Sequence, residues 1–294
     1  MRCLIIGGDG MLGHQLLESW RDRHEVRVTL RRELAHYARF GLFTAANAYP
    51  QTNVRDGGRL QAVLDDFRPH AVINAAGIIK QRADSEDVWS MLQVNALFPH
   101  RLEALCQRVA ARLVHISTDC VFSGRRGNYR ETDPCDAHDL YGLSKYLGEL
   151  HAAPAVTLRT SIVGLELATQ NGLVEWFLAQ RGDIQGFTRA IYSGVTTIEL
   201  ARVIDLLLGR HRYLTGLWHV ASSPIAKHAL LSQLAALLGR TDIRILPCAD
   251  VCCDRSLDGT AFAQQTGYQV PSWDRMLAEL AAQIQTNRVH YDAA

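Results

Sequence analysis

The chain of 294 residues carries a formal net charge of +1 at pH 7, with 48% hydrophobic and 21% charged residues. This composition is ordinary for a soluble globular protein, its charge gives no electrostatic case for nucleic acid or an anionic membrane, and no apolar run approaches a membrane span. The seven cysteines have no C-x-x-C or metal-ligand spacing, and the first predicted strand leaves no room for a signal peptide, so we expect a cytoplasmic protein without a metal.

The hydrophobic pattern of the first half predicts strands that alternate with helices. In chain order it predicts a strand at 2–6, a helix at 11–20, a strand at 25–30, a loop over 32–53, a helix at 56–67, a strand at 71–74, a helix at 87–111 kinked by Pro99, a strand at 113–116, a helix at 140–151 and a strand at 155–159. This alternation predicts an α/β fold with a Rossmann-type, doubly wound parallel sheet covered on both faces.

The rhythm changes after about residue 160. We predict helices at 172–180, 198–208, 224–238 and 273–285, with strands at 216–220 and 243–246. We therefore divide the chain into an NAD(P)-binding domain at 1–160 and a smaller, mainly substrate-binding α/β part at 161–294. This boundary is soft, because later strands can return to the first sheet.

A glycine-rich turn follows the first predicted strand. Gly7, Gly10 and Gly13 form G-x-x-G-x-x-G at the mouth of the helix at 11–20. The glycines permit a tight turn and let the backbone approach a pyrophosphate, and the helix N-terminus offers free N–H groups to it. The alternative is a glycine-rich turn with no ligand. The predicted dinucleotide site also includes Met11, Leu12, Asn53 and Val54.

The end of the second predicted strand indicates which dinucleotide binds. An NAD site usually has an acidic residue there for the ribose 2′-hydroxyl, whereas this chain has Arg31 and Arg32. Arginine can grip a 2′-phosphate bidentately, so we predict NADPH. NADH is the alternative, with Glu33 as the ribose ligand and the arginines solvated. Small residues that would admit a ribose follow the third strand: Ala75, Ala76 and Gly77.

Tyr141 and Lys145 are four residues apart on a predicted helix, so they lie on one face, a turn from each other. An ammonium near a phenol favours the ionised phenol and lowers its pKa from about 10. Thr118, at the end of the fourth strand, can donate a hydrogen bond to a carbonyl. With a dinucleotide these are the parts of a carbonyl reductase. We predict Tyr141 as general acid, Lys145 as its tuner and a ribose ligand, and Thr118 as the carbonyl donor.

Together, the glycine loop, Ser117-Thr118-Asp119 and the Tyr141/Lys145 pair resemble the extended short-chain dehydrogenases/reductases. Within that group the chain is most similar to the dTDP-4-dehydrorhamnose reductases. Their S-T-D-Y-V-F corresponds to S-T-D-C-V-F at 117–122, and their R-T-S is present at 159–161. Their G-x-P-T with acidic-L-A is partly matched at 194–201, and their R-P-x-x-S-x-L-D is shortened at 254–258.

The resemblance implies NAD(P)H-dependent reduction of the C4 keto group of a nucleotide-linked 6-deoxysugar. It implies that Asn95 supports the lysine from the long helix, although a buried helix-bending residue is the alternative. Arg255 would meet the substrate diphosphate, or else form a surface salt bridge. Lys80 would reach a substrate group, or else lie solvated. The residues predicted to bind substrate are Lys80, Thr118, Asp119, Val121, Phe122, Thr160, Ser161 and Arg255.

The chain departs from the family pattern at three places, one of which is the stretch 77–81, which replaces a more usual small, polar loop. A tryptophan after R-T-S is Ile162 here, and the proline of G-x-P-T is Thr196. The departures suggest a different sugar, such as a UDP-linked 2-acetamido-2,6-dideoxy-hexos-4-ulose for surface polysaccharide. An epimerase or dehydratase of the same fold and a non-catalytic nucleotide-binding regulatory subunit are the alternative functions. We expect a homodimer from the general frequency of dimers.

Overall fold

The computed structural model describes residues 1–80, 87–167 and 170–291, and the side chains up to 286. Its strands are β1 (Arg2–Ile6), β2 (Glu25–Thr29), β3 (Ala48–Tyr49), β4 (Ala71–Asn74), β5 (Arg112–Ile116), β6 (Ala155–Arg159), β7 (Ile162–Val163), β8 (Gly182–Phe187), β9 (Ala190–Tyr192), β10 (Val195–Thr196), β11 (Gly216–His219), β12 (Ile225–Ala226), β13 (Ile243–Cys248) and β14 (Cys253–Asp254).

Its α-helices are α1 (Met11–Trp20), α2 (Leu34–Tyr37), α3 (Gly57–Phe67), α4 (Val88–Met91), α5 (Phe98–Arg108), α6 (Leu140–Leu147), α7 (Leu173–Ala179), α8 (Thr197–Gly209), α9 (Lys227–Leu237), α10 (Thr260–Thr266) and α11 (Trp273–Tyr291). A π-helical segment (Leu92–Leu97) joins α4 to α5, and 3₁₀ turns cover Ala38–Phe40 and Asp119–Val121. Over the described residues, no helix is both long and apolar enough to cross a membrane.

The main sheet has seven strands in the order β11-β6-β5-β4-β1-β2-β3. Every neighbouring pair runs parallel, which confirms the predicted α/β, Rossmann-type fold. All the carboxyl ends therefore meet at one edge, where the strand order reverses beside β1 and ligands of such sheets bind. Strand β11 lies beyond residue 160 yet pairs with β6. The division of the chain at residue 160 stays a prediction.

The strand β1 shows why both faces of the sheet are covered. Cys3 and Ile5 enter one apolar cluster, with α1, α8 and α11. Leu4 and Ile6 point the other way, into a second cluster with α3 and α5. Successive side chains of a strand alternate between faces, so a continuous apolar run is buried only where helices cover both. Smaller sheets, β10-β7, β12-β9-β14 and β13-β8, build the remainder.

Three local predictions differ from the structure. The predicted loop 32–53 contains α2 and β3, and β3 pairs with β2 through only two residues, too few for an alternating pattern. The predicted helix is interrupted before Pro99, by the π segment, rather than kinked or broken by the proline itself. Pro99 lies in the first turn of α5, which tolerates proline. The helix predicted to end at 151 ends at Leu147, because Gly148 follows.

Candidate active site

The glycine turn after β1 is shaped to receive an anion. Gly7 has φ +86°, a left-handed backbone that disfavours other residues, and its N–H donates to Thr29 Oγ1 at 3.1 Å. Gly10 precedes α1 and offers no side chain to cap it. The first N–H groups of α1 are therefore left for a ligand, and they carry the positive end of the helix dipole. Met11 and Leu12 begin this helix, and Leu12 is buried in the core.

The loop after β4 lies directly against the glycine turn. A Cβ placed on Gly7 would lie 3.1 Å from Ala76 Cα, and the N–H of Ala75 donates to Ile6 O at 3.1 Å. Gly77 follows and faces Asn95 Oδ1. The small residues predicted to admit a ribose thus lie together at the carboxyl edge of the sheet.

Arg31 and Arg32 are exposed just after β2. Arg32 Nη1 lies 3.4 Å from His36 Nε2, and the Arg32 N–H donates to the Tyr37 hydroxyl at 3.4 Å. Burial and Asp9 raise the pKa of Tyr37, while Arg31 lowers it slightly. The Tyr37 hydroxyl donates to Asp9 of the glycine turn at 2.9 Å. The two arginines therefore flank the glycine turn, where a 2′-phosphate would need them.

The other predicted cofactor residues at this end are placed differently. Glu33 Oε1 accepts a hydrogen bond from Gln51 Nε2 at 3.0 Å. Asn53 Oδ1 accepts from the Arg55 N–H at 3.0 Å and holds the loop that follows β3. Val54 packs against the apolar clusters on both sides of that loop. Contact between these residues and a dinucleotide stays a prediction.

Asn95 lies in the π segment and connects three elements. Its amide exchanges two 2.9 Å hydrogen bonds with the backbone of Ile78, and its Nδ2 lies 3.2 Å from Ser144 Oγ on α6. Single-turn π segments often occur at functional sites. Asn95 therefore ties the loop after β4 to the turn that precedes Lys145.

A close approach of two backbones brings Thr118 to Tyr141. A Cβ placed on Gly142 would lie 2.2 Å from Cys120 O, so only glycine lets α6 press onto the turn after β5. Thr118 caps that turn, since its Oγ1 accepts from the Cys120 N–H at 3.1 Å. The Thr118 hydroxyl donates to Asp119 Oδ1 at 3.2 Å. Burial raises the pKa of the Tyr141 phenol, and the neighbouring Thr118 side chain lowers it.

Burial dominates the ionisation of Tyr141. It raises the pKa of the phenol well above its usual value, and the neighbouring acidic groups raise it further. The sequence predicted a pKa lowered by Lys145, yet the leading downward influence is Thr118. The phenol is therefore protonated at neutral pH, which a proton donor requires.

Lys145 lies beneath the same strand end. It is 5% exposed, and its Nζ donates to Ile116 O at 2.7 Å. Burial lowers the pKa of Lys145 from 10.5 to about 8, while the charge of Glu149 acts in the opposite direction. The ammonium still predominates at neutral pH. The structure thus gathers Thr118, Tyr141 and Lys145 at the carboxyl end of β5.

Lys80 lies on the outer side of Tyr141. Its Nζ is 2.7 Å from Asp139 Oδ2 and 5.8 Å from the centre of the Tyr141 ring. Asp139 also caps α6, because its Oδ1 accepts from the Gly142 N–H at 2.9 Å. Both side chains are partly exposed. Lys80 is thus paired with Asp139 and lies close to Tyr141, the proposed proton donor.

Two residues predicted to bind substrate form a charged patch beside Thr118. Asp119 is 6% exposed; burial raises the pKa of its carboxyl, while Arg255 and the Ser161 hydroxyl lower it. Arg255 Nε donates to Phe122 O at 2.8 Å. The half-buried guanidinium of Arg255 is thereby held over the turn after β5, which is where a diphosphate would need a cation.

Three other predicted substrate residues are buried. Val121 and Phe122 are 0% exposed and Thr160 is 2% exposed. Phe122 stacks on Tyr129 with ring centres 4.2 Å apart, and Thr160 O accepts from the Asp119 N–H. Contact of Val121 and Phe122 with a substrate would therefore have to come from their backbone. No three His, Cys, Asp or Glu side chains within the described ranges cluster as metal ligands.

The sequence interpretation missed Asp139 and a buried pair, Glu149 and Arg159. An acidic residue just before an apolar helical pattern is a recognisable N-cap signal, so Asp139 was within reach. Glu149 Oε2 and Arg159 Nη2 are 2.7 Å apart but come from different elements. No local pattern indicates that pairing.

Comparisons with known proteins identify the family of the chain. The family model for the RmlD substrate binding domain matches residues 1–286. A dTDP-4-dehydrorhamnose reductase from Burkholderia thailandensis is 33% identical over 168 residues, 55% of this chain and 50% of that protein. Methionine adenosyltransferase 2 subunit beta from Bos taurus is 30% identical over 152 residues, 50% of this chain and 41% of that protein. The chain thus spans about half the length of these relatives.

A solved structure aligns with nearly the whole chain. It is dTDP-4-dehydrorhamnose reductase from Bacillus anthracis in complex with NADP, with a TM-score of 0.77 and 23% identity over 96% of this chain and 99% of that one. At this identity the likeness establishes the fold, with the sheet and the second half arranged alike.

Proposed function

We propose that this chain, which belongs to the RmlD substrate binding domain family, reduces the C4 keto group of a nucleotide-linked 6-deoxy-4-ketohexose with NADPH. The membership agrees with the resemblance found in its motifs. The sugar nucleotide is dTDP-4-dehydrorhamnose or a UDP-linked 2-acetamido-2,6-dideoxy analogue. The product would serve as a precursor of surface polysaccharide. A cytoplasmic location and a homodimer remain predictions.

The observation that carries the proposal is the convergence at the end of β5. Thr118 caps the turn after β5, against which the Tyr141–Gly142 turn of α6 packs. Lys145 Nζ donates to Ile116 O, at the last residue of β5. The glycine turn and the N-terminus of α1 lie at the same edge of the sheet. This geometry supports a dinucleotide held at β1 with its reacting end toward β5.

The residues at that edge fit a dinucleotide. The uncapped first turn of α1 suits a pyrophosphate, and the exposed Arg31 and Arg32 suit a 2′-phosphate. Such a cofactor supplies a hydride when bound. Lys145 would hold the ribose, and Asn95 would keep the adjoining loop in place.

Tyr141 would protonate the C4 oxygen as negative charge builds on it. The raised pKa keeps the phenol neutral until that charge appears, and Thr118 would orient the oxygen by donating a hydrogen bond. Arg255 would bind the diphosphate of the sugar nucleotide beside Asp119. The chain thus supplies a proton, an oxygen ligand and an anion ligand.

A panel of 4-keto sugar nucleotides tests this proposal. The dTDP-linked 6-deoxy and UDP-linked 2-acetamido-2,6-dideoxy compounds are each mixed with protein and NADPH. NADPH oxidation and the C4 alcohol are measured together, and thermal shift reports binding. At least one compound should be reduced with one NADPH consumed per alcohol. The proposal fails if compounds bind but none is reduced with either NADPH or NADH.

The same preparation separates the proposal from its alternatives. An epimerase or dehydratase regenerates its cofactor each cycle, so it would be purified with NAD tightly held, and it would rearrange or dehydrate a sugar nucleotide without net NADPH oxidation. Thr118 is followed by Asp119-Cys120, without the glutamate that a dehydratase typically places there. A non-catalytic subunit would tolerate Tyr141→Phe with its cellular role intact.

A further inference from the structure

A buried ion pair lies beneath the proposed reacting centre and is not used by the mechanism above. The side chains of Glu149 and Arg159 are 0% and 3% exposed. Arg159 Nε donates to Glu149 Oε1 at 2.7 Å and Nη2 donates to Oε2 at 2.7 Å. Two parallel hydrogen bonds of this kind fix the planes of the guanidinium and the carboxylate relative to each other. A carboxylate so deeply buried needs every oxygen partnered, and here each oxygen has one.

The carboxylate also reaches the strand that carries Thr118. Ser117 Oγ donates to Glu149 Oε1 at 2.6 Å, and Ser117 directly precedes Thr118. Glu149 follows Lys145 by four residues, and the two side chains bind consecutive residues of the chain, Lys145 Nζ at Ile116 O and Glu149 Oε1 at Ser117 Oγ. Burial lowers the pKa of Lys145, and the nearby charge of Glu149 raises it. The carboxylate of Glu149 therefore interacts with residues at the end of β5 and at the end of β6 and with the lysine on α6.

We infer that Glu149 is a positioning residue that holds the Ser117–Thr118 strand end in place and keeps the Lys145 ammonium charged beneath Tyr141. The inference rests on the proposed function only for the role it gives Lys145. The Tyr141/Lys145 spacing alone does not indicate this interaction between Glu149 and Lys145.

Arg159 has other partners besides Glu149. Neutralising the arginine is therefore not the only role of the carboxylate. Arg159 Nη2 also donates to Cys135 Sγ at 3.2 Å, and Nη1 lies 3.4 Å from His219 Nε2. Burial and the adjacent Arg159 lower the pKa of His219 to about 3, so this ring is neutral and can accept. The guanidinium also lies 5.2 Å from the centre of the Phe122 ring.

The other groups around Lys145 cannot replace the carboxylate. His115 on β5 is buried, and burial together with Lys145 lowers its pKa well below 6.5, so it is neutral. Asn95 and Ser144 are neutral, and Tyr141 is protonated at neutral pH. Arg159 on β6 carries a positive charge. Glu149 is thus the anion that opposes the cost of burying the Lys145 ammonium.

The sequence makes a direct test practicable, because it contains only three lysines: Lys80, Lys145 and Lys227. Isotope-labelled lysine side chains are titrated by NMR, and Lys145→Arg identifies the Lys145 signal. In Glu149→Gln the Lys145 midpoint should lie about one pH unit or more below that of the parent protein. An unchanged midpoint in folded Glu149→Gln overturns the inference.

Control variants separate charge from geometry. Glu25→Gln removes an exposed carboxylate and should leave the midpoint in place. Ser117→Ala breaks the bond to the strand end without a change of charge, so it should leave the midpoint while lowering kcat severalfold at unchanged KM for NADPH. Ser117→Ala with parental kcat overturns the strand-end part of the inference.

Glu149→Gln leaves the Arg159 charge unpaired and can prevent folding. The double variant Glu149→Gln/Arg159→Met removes both charges and preserves a neutral core, which buried pairs often tolerate. Its Lys145 midpoint should still fall, since Glu149 is the charge that supports Lys145, and an unchanged midpoint again overturns the inference. A shifted midpoint in a protein that reduces no sugar nucleotide would uphold Glu149 and refute the proposed function.

Discussion

The two ends of the proposed site are built in different ways. At the nucleotide end, the groups that we propose to bind the cofactor are backbone N–H groups of α1 and the exposed side chains of Arg31 and Arg32. At the reacting end, Lys145 and Asp119 are 5% and 6% exposed and depend on neighbours from other elements. Exposed charges are screened by solvent and salt, so replacing one of them has a small effect. A buried charge is stable only while each of its partners is present. Substitutions should therefore have graded effects at one end and severe effects at the other.

The largest effect is expected from Tyr141→Phe at the reacting end. Removing the phenolic proton should lower kcat by roughly a hundredfold or more, the usual scale for a lost general acid. NADPH affinity, measured by fluorescence titration, should change little, because the glycine turn and the arginines are untouched. Comparable kcat in the variant would contradict Tyr141 as proton donor.

The pH dependence of the reacting end should follow Lys145. Its pKa is lowered from 10.5 to about 8, so the ammonium is present below that pH and is lost as the pH rises through it. The value of kcat/KM should then fall about tenfold per pH unit above pH 8. Lys145→Arg keeps its charge at every accessible pH, so whatever activity it retains should lack this alkaline decline.

At the nucleotide end, the double variant Arg31→Ala/Arg32→Ala should weaken NADPH about tenfold. Charge-assisted hydrogen bonds contribute about 1.5–3 kcal/mol, and exposure places these at the lower bound. NADH, which lacks the 2′-phosphate, should be almost unaffected, and so should both cofactors in Arg21→Ala. Equal weakening of both dinucleotides by the double variant would remove the argument for NADPH.

The smallest effect is expected from Lys80→Met, between the two ends. Its ion pair with Asp139 is partly exposed, and such pairs contribute about 0.2–1 kcal/mol. Chemical denaturation should show a loss within that range. If Lys80 also contacts the substrate, KM for the sugar nucleotide should rise severalfold while NADPH affinity is unchanged. An unchanged KM would leave Lys80 with a structural role alone.

The same contrast explains what the sequence could predict. The three glycines lie within seven residues, Arg31 directly follows a predicted strand, and Tyr141 and Lys145 are four residues apart. The function proposed for each therefore follows from local spacing. All strands of the main sheet except β3 were predicted. Strand β3 has only two residues and forms at the edge of the sheet because it pairs with β2.

The features that the sequence could not predict depend on contacts between residues far apart in the chain. The bond between Ser117 and Glu149 joins residues 32 positions apart, so no periodicity indicates it. The direction of the Tyr141 pKa was wrong in the prediction because burial raises that pKa and Thr118, rather than Lys145, lowers it. Burial is a property of the assembled fold. The short strands β7, β9, β10, β12 and β14, each of two or three residues, were missed for the same reason as β3. Strand β8 was missed although it has six residues.

Strand β11 gives the sheet an order of assembly. Until Gly216–His219 pair with β6, the newly made β6 keeps one row of backbone N–H and C=O groups unpaired, and an open strand edge invites other chains. The ribosome completes β1 to β6 well before β11 emerges. Before β11 pairs, β6 is therefore the edge strand of the main sheet, and afterwards β11 takes that place. A chain that stopped between β6 and β11 would keep the buried, largely apolar β6 as its edge, where aggregation is favoured.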